Sequence, residues 1–145
     1  MTLAVLCDTS VFVAGTLRGH VHHARTLPLL DSITAGTIKG VMASHSLAEC
    51  YASLTSIPPP MNPAETREIL QKNLMSFFKI LELSQQDYQN AIDRVVEKHL
   101  RSGAIYDALI FQSAVKGKVD KLVTWNLKHF VRLGDEIQVV TPETF

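Results

Sequence analysis

Three acidic residues of this chain stand among apolar neighbours: Asp8 in VLCD, Glu49 in SLAEC and Asp107 in IYDALI. A buried charge without a partner is strongly unfavourable, so acids in such surroundings call for a neutralising group. No basic residue adjoins any of them in the sequence. A divalent cation would supply the missing charge. Oxygen-only ligands with room for water suit Mg²⁺ or Mn²⁺. Such an ion activates water and stabilises charge on a phosphoryl group, and one of the carboxylates can orient the attacking water. Each acid also has a plainer reading. Asp8 before Thr9, and Asp107 near a helix start, can cap helices. Glu49 can pair with His45 one turn away. Together the acids point to a metal centre made by Asp8, Glu49 and Asp107, with catalysis as its purpose.

Such a centre needs a fold that brings the acids to one edge. Leu3 to Cys7 is a short apolar run, expected as a strand buried on both faces, and Asp8 follows at its carboxyl end. Thr9 and Ser10 can cap what comes next. Ala24 to Ala35 reads as a helix with Leu27, Leu29, Leu30 and Ile33 as its apolar positions and Pro28 in its first turn. Lys39 to Ala43 is a second strand. Ser44 or Ser46 can cap the helix that carries Leu47, Glu49 and Leu54. Pro58, Pro59 and Pro60 stop that helix. Asn62 then caps a helix from Pro63 to Phe78, and Lys79 to Leu83 is a third strand. Ser84 and Asp87 resemble a capping box for the helix with Ala91, Ile92, Val95, Val96 and Leu100. Asp107 opens an apolar helix closed by Gly117. Leu122 to Trp125 is a fourth strand, and Ile137 to Val140 is a candidate fifth.

Strands alternate with helices along the whole chain. That pattern implies an α/β fold: a three-layer α/β/α sandwich with a four- or five-stranded parallel sheet. Sites in such sheets form beyond the carboxyl ends of the strands. Asp8 directly ends strand one, Glu49 lies a turn into the helix after strand two, and Asp107 begins the helix that leads into strand four.

A length of 145 residues suits one domain over 1–145, with no repeat and no shift in composition to mark a second. The 14 basic residues balance the 14 acidic ones, so net charge speaks neither for nor against nucleic acid. Cys7 and Cys50 are too few for a disulfide framework and are expected as buried, reduced core thiols. The start, MTLAVLCDTSVFVAG, has no basic leader and contains an acid within its apolar run. A cytoplasmic location without membrane association is the expectation.

The segments VLCDTSVFVA, SHSLAECYASLT, IYDALIFQSAV and LVTWNLKHF, in that order, resemble those of PIN-domain nucleases. The resemblance is greatest to the VapC-like toxin ribonucleases of bacterial and archaeal type II toxin–antitoxin pairs. It implies a small PIN-like α/β/α domain with Asp8, Glu49 and Asp107 as its clustered acids. A fourth acid common in the family falls at Asn126, in Thr124-Trp125-Asn126. Asn at this place occurs in the toxin group, and it weakens the case for a second tightly held metal. Thr124 and Asn126 remain candidates to orient water or a phosphate oxygen, although Asn126 can also cap the turn Leu127 to Phe130. The resemblance further implies Mg²⁺- or Mn²⁺-dependent endonucleolytic cleavage of transfer or ribosomal RNA at single-stranded sites. It also implies a homodimer and an antitoxin protein that covers the active site. A housekeeping RNA-processing nuclease, or a catalytically weak PIN domain acting as a binding module, fits the same segments.

Several further residues are candidates for RNA contact. Lys116, Lys118, Lys121, Lys128, His129 and Arg132 form the richest basic stretch, and either flank the acids or line a solvated face. Thr9, Arg18, Lys128 and His129 are the contacts favoured from position. His20, His22 and His23 can line the RNA path. A zinc site there lacks the usual spacing and thiolates. Trp125 and Phe130 either stack on bases or pack the sheet edge. DTS after strand one, where an aspartyl-phosphate enzyme would need DxD, and the absence of GxxxxGK[ST] argue against other phosphohydrolases.

Overall fold

The computed structural model describes residues 2–145. Strands β1 (Ala4–Cys7), β2 (Lys39–Ala43), β3 (Phe78–Leu81), β4 (Lys121–Val123) and β5 (Gln138–Val140) form one sheet in the order β3-β2-β1-β4-β5. Every pairing is parallel. The fold is therefore the expected α/β sandwich, with the candidate fifth strand in place at the edge. The helices are α1 (Thr9–Thr16), α2 (His23–Thr34), α3 (Ser44–Leu54), α4 (Pro63–Ile69), α5 (Gln85–Glu97), α6 (Ala104–Gly117) and α7 (Leu127–Val131).

Alternation along the strands splits the core between two layers. Leu6, Val41, Ala43 and Leu122 pack with Ala91 and Val95 of α5 and with Ala108 and Phe111 of α6. Val5, Cys7, Met42 and Val123 face the other way, onto Val11 and Phe12 of α1, Leu29 of α2 and Leu54 of α3. The continuous apolar runs in the sequence arise because both faces of these strands are covered. Among the described residues no helix is long and apolar enough to cross a membrane.

The strand order makes a crevice at the carboxyl ends of β1 and β4, where the chain departs on opposite sides. Asp8 N–H donates to the Val123 carbonyl at 2.9 Å, and Thr124 N–H to that of Val140 at 3.0 Å. These bonds carry the ladder one residue past the strand ends and fix Asp8 and Thr124 side by side.

Three details differ from the sequence expectations. Neither Ser44 nor Ser46 caps α3: Ala43 holds the N-cap position, and the buried Ser46 Oγ has no hydrogen-bond partner. The helix after Asn62 is α-helical only to Ile69 and continues as a π-helix over Leu70–Met75. Its wider turn keeps Leu70 and Leu74 buried but leaves Phe77 43% exposed, and β3 begins at Phe78. Helix α2 starts at His23, so Pro28 lies inside it rather than in its first turn. The capping box of Ser84 and Asp87 forms as its spacing suggests.

Candidate active site

Asp8 ends β1 at the N-cap position of α1, yet its side chain makes no cap hydrogen bond. Its Oδ2 instead accepts from Ser10 Oγ and from Thr124 Oγ1, each at 2.8 Å. Backbone N–H groups beyond β4 brace those hydroxyls: Trp125 donates to Ser10 Oγ at 3.1 Å, and Asn126 to Thr124 Oγ1 at 2.9 Å. Burial raises the proton affinity of Asp8, and the two hydroxyls pull it partly back.

Glu49 comes from α3. Its Oε1 accepts from Thr9 Oγ1 at 2.9 Å, while Oε2 lies 3.9 Å from His45 Nε2. The pairing with His45 considered from the sequence is thus a contact beyond hydrogen-bond length. Burial and the charge of Asp8 raise the proton affinity of Glu49; Thr9 and His45 oppose them.

Asp107 lies in the first turn of α6, again without a cap hydrogen bond. Its Oδ2 sits 3.5 Å from His129 Nδ1 and 3.7 Å from Arg132 Nη2. Burial, with the charges of Asp8 and Glu49, pushes its carboxyl up to about 6 against the pull of those cations. No basic residue adjoins Asp107 in the sequence, but two from the basic stretch of 116–132 come to it in the fold. Its partners are remote in sequence and arrive with α7.

The three acids line one open cleft, together with Thr9, Ser10, His20, His22, Trp125 and Asn126. Their donors are carboxylates and hydroxyls, the chemistry of a hard cation. They do not converge, however: among the described residues no three His, Cys, Asp or Glu side chains form a group spaced to hold an ion directly. Mg²⁺ tolerates such a site, because it keeps several waters and needs only one or two direct carboxylates. The donor chemistry suits Mg²⁺ or Mn²⁺, and Asp8, Glu49 and Asp107 are the residues that would hold it, directly or through water.

The other candidates divide sharply. Thr124 is buried on Asp8, and Thr9 lies on Glu49. Asn126 is exposed in the cleft and makes no cap bond to α7. His129 reaches Asp107, and Lys128 is exposed beside it on α7. Arg18 is not brought to the cleft; it lines a separate hollow with Leu17, Pro58 and Pro59. Lys116 is bound to Asp87 at 2.6 Å, and Lys121 lies over the Phe145 ring at the opposite end of β4. His23 Nδ1 is 2.9 Å from the Ala14 carbonyl and His20 Nδ1 accepts from His22 N–H, so the histidines form no shared metal site. Phe130 is fully buried and cannot stack on a base. Cys7 and Cys50 are core thiols, raised in proton affinity by burial. Sequence reasoning missed the hydrogen bond of Ser10 to Asp8 and the specific contact of Arg132 with Asp107. For Ser10 a signal existed, since it lies two residues from Asp8.

Fold and cleft define an α/β domain whose acids gather at the carboxyl edge of a parallel sheet. Residues 5–135 match the PIN domain family, and the chain belongs to it. It is 31% identical over 138 residues to Ribonuclease VapC40 of Mycobacterium tuberculosis, covering 92% of this chain and 97% of that protein. It shares its fold with the M. tuberculosis Sarcin-Ricin loop cleaving toxin VapC20, at a TM-score of 0.67, 17% identity and coverage of 81% and 86%. A toxin–antitoxin complex from Klebsiella pneumoniae contains a chain of the same fold, at a TM-score of 0.65, 22% identity and coverage of 95% and 97%.

Proposed function

We propose that residues 1–145 act as one nuclease domain that cuts cellular RNA at a single-stranded site in the cytoplasm, as the toxin of a toxin–antitoxin pair. Transfer or ribosomal RNA is the target class, and Mg²⁺ or Mn²⁺ the cofactor. The observation that carries this reading is the shared cleft. It holds carboxylates from the end of β1, from α3 and from α6, and among the described residues neither Asp8 nor Glu49 has a Lys or Arg partner. The similarity to Ribonuclease VapC40 supports the reaction class.

When bound, the ion supplies Lewis-acid stabilisation of the phosphoryl charge and makes water more acidic. The protein residues do the rest. Ser10 and Thr124 hold Asp8 in one orientation, and Thr9 holds Glu49. A carboxylate that does not bind the ion directly, Glu49 or Asp107, takes the proton of the attacking water in this reading. The water oxygen bonds to phosphorus, the P–O bond to the leaving nucleoside breaks, and the leaving oxygen takes a proton from solvent. His129 and Arg132 exchange Asp107 for the phosphate of the substrate, with Lys128 and Thr9 as further contacts. An antitoxin protein that covers the cleft, and a second copy of the chain, are the expected partners. The apolar groove between α1, α2 and the π-helix offers the antitoxin a seat.

The spread of the acids favours a second reading, a PIN domain that binds RNA without cutting it. One experiment separates the two. Purified protein is incubated with total cellular RNA and Mg²⁺ or Mn²⁺, beside a chelator control and Asp8→Asn, and cut ends are mapped. A discrete cut lost in both controls is expected. RNA binding without a cut, in folded protein free of partners, would favour the binding module.

A further inference from the structure

Two pairs of stacked rings lie at or beside the acid cleft: His22 and Trp125 are part of its lining, and His45 and Tyr106 stand outside it, next to Glu49 and Asp107. His45 and Tyr106 lie within 3° of parallel with centroids 5.3 Å apart. His22 and Trp125 lie within 8° of parallel with centroids 4.0 Å apart. The sheet order sets them on either side of Asp8. His45 belongs to α3, which follows β2, whereas Trp125 follows β4, and β2 and β4 are the two neighbours of β1. Both pairs adjoin the acids. Tyr106 precedes Asp107, His45 contacts Glu49, and Trp125 follows the Thr124 that holds Asp8.

A single exposed aromatic residue is ordinary on a protein surface. Here the Trp125 ring is also held in a fixed orientation. Trp125 Nε1 donates to Thr26 Oγ1 at 2.8 Å, and the Arg25 guanidinium lies 5.1 Å from its ring centre while bound to Glu143 at 3.1 Å. Tyr106 stays 50% exposed although Ala104, Ala108 and Leu109 of the same helix are buried. Every nucleobase offers a π face, and unpaired bases stack on aromatic side chains. The acids repel the phosphate backbone. Before a cation binds, affinity for a single strand has to come from stacking and from the cations of α7.

We propose that the His45–Tyr106 and His22–Trp125 pairs are stacking platforms for the two nucleobases on either side of the scissile phosphate. The proposal rests on the reading of the cleft as an RNA-cleaving site and assigns the residues that hold its substrate. Neither pair depends on base identity. The platforms therefore select unpaired nucleotides rather than a sequence.

Trp125 is the only tryptophan of the chain, so intrinsic fluorescence reports on one platform directly. The whole protein is titrated with labelled single-stranded oligouridine in the presence of a chelator, and with versions carrying one abasic position. Binding is expected to quench Trp125. Tyr106→Leu is expected to weaken binding about tenfold, equivalent to about 1.4 kcal/mol, whereas Tyr106→Phe retains it. At one position, an abasic site is expected to weaken the wild type by the same factor and to cost Tyr106→Leu nothing further, the signature of a direct pair. In Mg²⁺-supported cleavage, Tyr106→Leu is expected to raise KM about tenfold with kcat retained. Affinity and KM unaffected by Tyr106→Leu, or an affinity loss that is the same for every abasic oligonucleotide, would overturn the platforms while cleavage by the wild type left the nuclease reading intact. Wild-type protein that neither binds nor cuts RNA would overturn both.

Discussion

Asp8 is 4% exposed and accepts two 2.8 Å hydrogen bonds from hydroxyls of its own sheet edge. Asp107 has a side chain 23% exposed and lies 3.5 Å from His129 of α7 and 3.7 Å from Arg132, the residue that follows that helix. Both reach one cleft, but by different physics. Hydroxyl donors orient Asp8 without cancelling its charge, so it stays available to a cation. His129 and Arg132 both approach Oδ2 of Asp107 and oppose its charge, so a new partner at that oxygen competes with them. One region is a fixed anchor, and the other is an exchangeable contact.

The largest expected effect tests that contrast directly. Mg²⁺ at about a hundredfold excess over its Kd should stabilise the protein by about 2.7 kcal/mol. In thermal unfolding, Asp8→Asn should abolish the gain and Asp107→Asn should only reduce it. Full gains in both variants would mean the ion binds elsewhere.

Thr124→Val comes next. It removes one buried donor to Asp8 while keeping the side chain's shape, and should lower stability by about 1–2 kcal/mol in urea titration. It should also raise the proton affinity of Asp8, because the Thr124 hydroxyl opposes the effect of burial.

The pH dependence of metal-free protein sharpens the other side of the comparison. The carboxyl of Asp107 is raised from 3.8 to about 6, so between those values the folded state binds more protons than the unfolded chain. Its contribution to stability is therefore fully present at the acid end of that window and is lost as pH rises through about 6. Asp87 and Glu136, whose proton affinities are lowered by Lys116 and Arg94, change stability in the opposite sense. The difference between wild type and Asp107→Asn isolates Asp107, and is expected to be about 1 kcal/mol after solvent screening. A pH-independent difference would break the assignment.

The smallest effect belongs to Arg132→Ala, where an exposed ion pair is lost at a cost of about 0.5 kcal/mol or less. Its consequence for RNA affinity should exceed that figure if the guanidinium passes to the phosphate, and equilibrium binding at two salt concentrations would read it.

Much of the fold was legible because its strands are buried on both faces and appear as unbroken apolar runs. The break between Ile69 and Phe78 was not legible. Leu70 and Leu74 satisfy α-helical spacing, and only packing against the sheet reveals the wider π turn. Within the cleft, Asp8, Glu49 and Asp107 were visible as acids in apolar surroundings. The place of Arg18 beside Leu17, Pro58 and Pro59, rather than in the cleft lining, was not legible, because the path of the chain after α1 depends on tertiary packing.

Local chemistry in the sequence alone determined the alternation of strand and helix and the gathering of acids at the carboxyl edge. A residue that ends a buried strand has one place to go. Only the tertiary structure decided which side chains answer those acids and which rings stack beside them. His129 and Arg132 come to Asp107, and Tyr106 comes to His45, because the chain returns through β4 and lays α6 against both α3 and α7. Contacts between residues far apart in sequence leave no trace in local spacing, so three-dimensional packing alone fixes them.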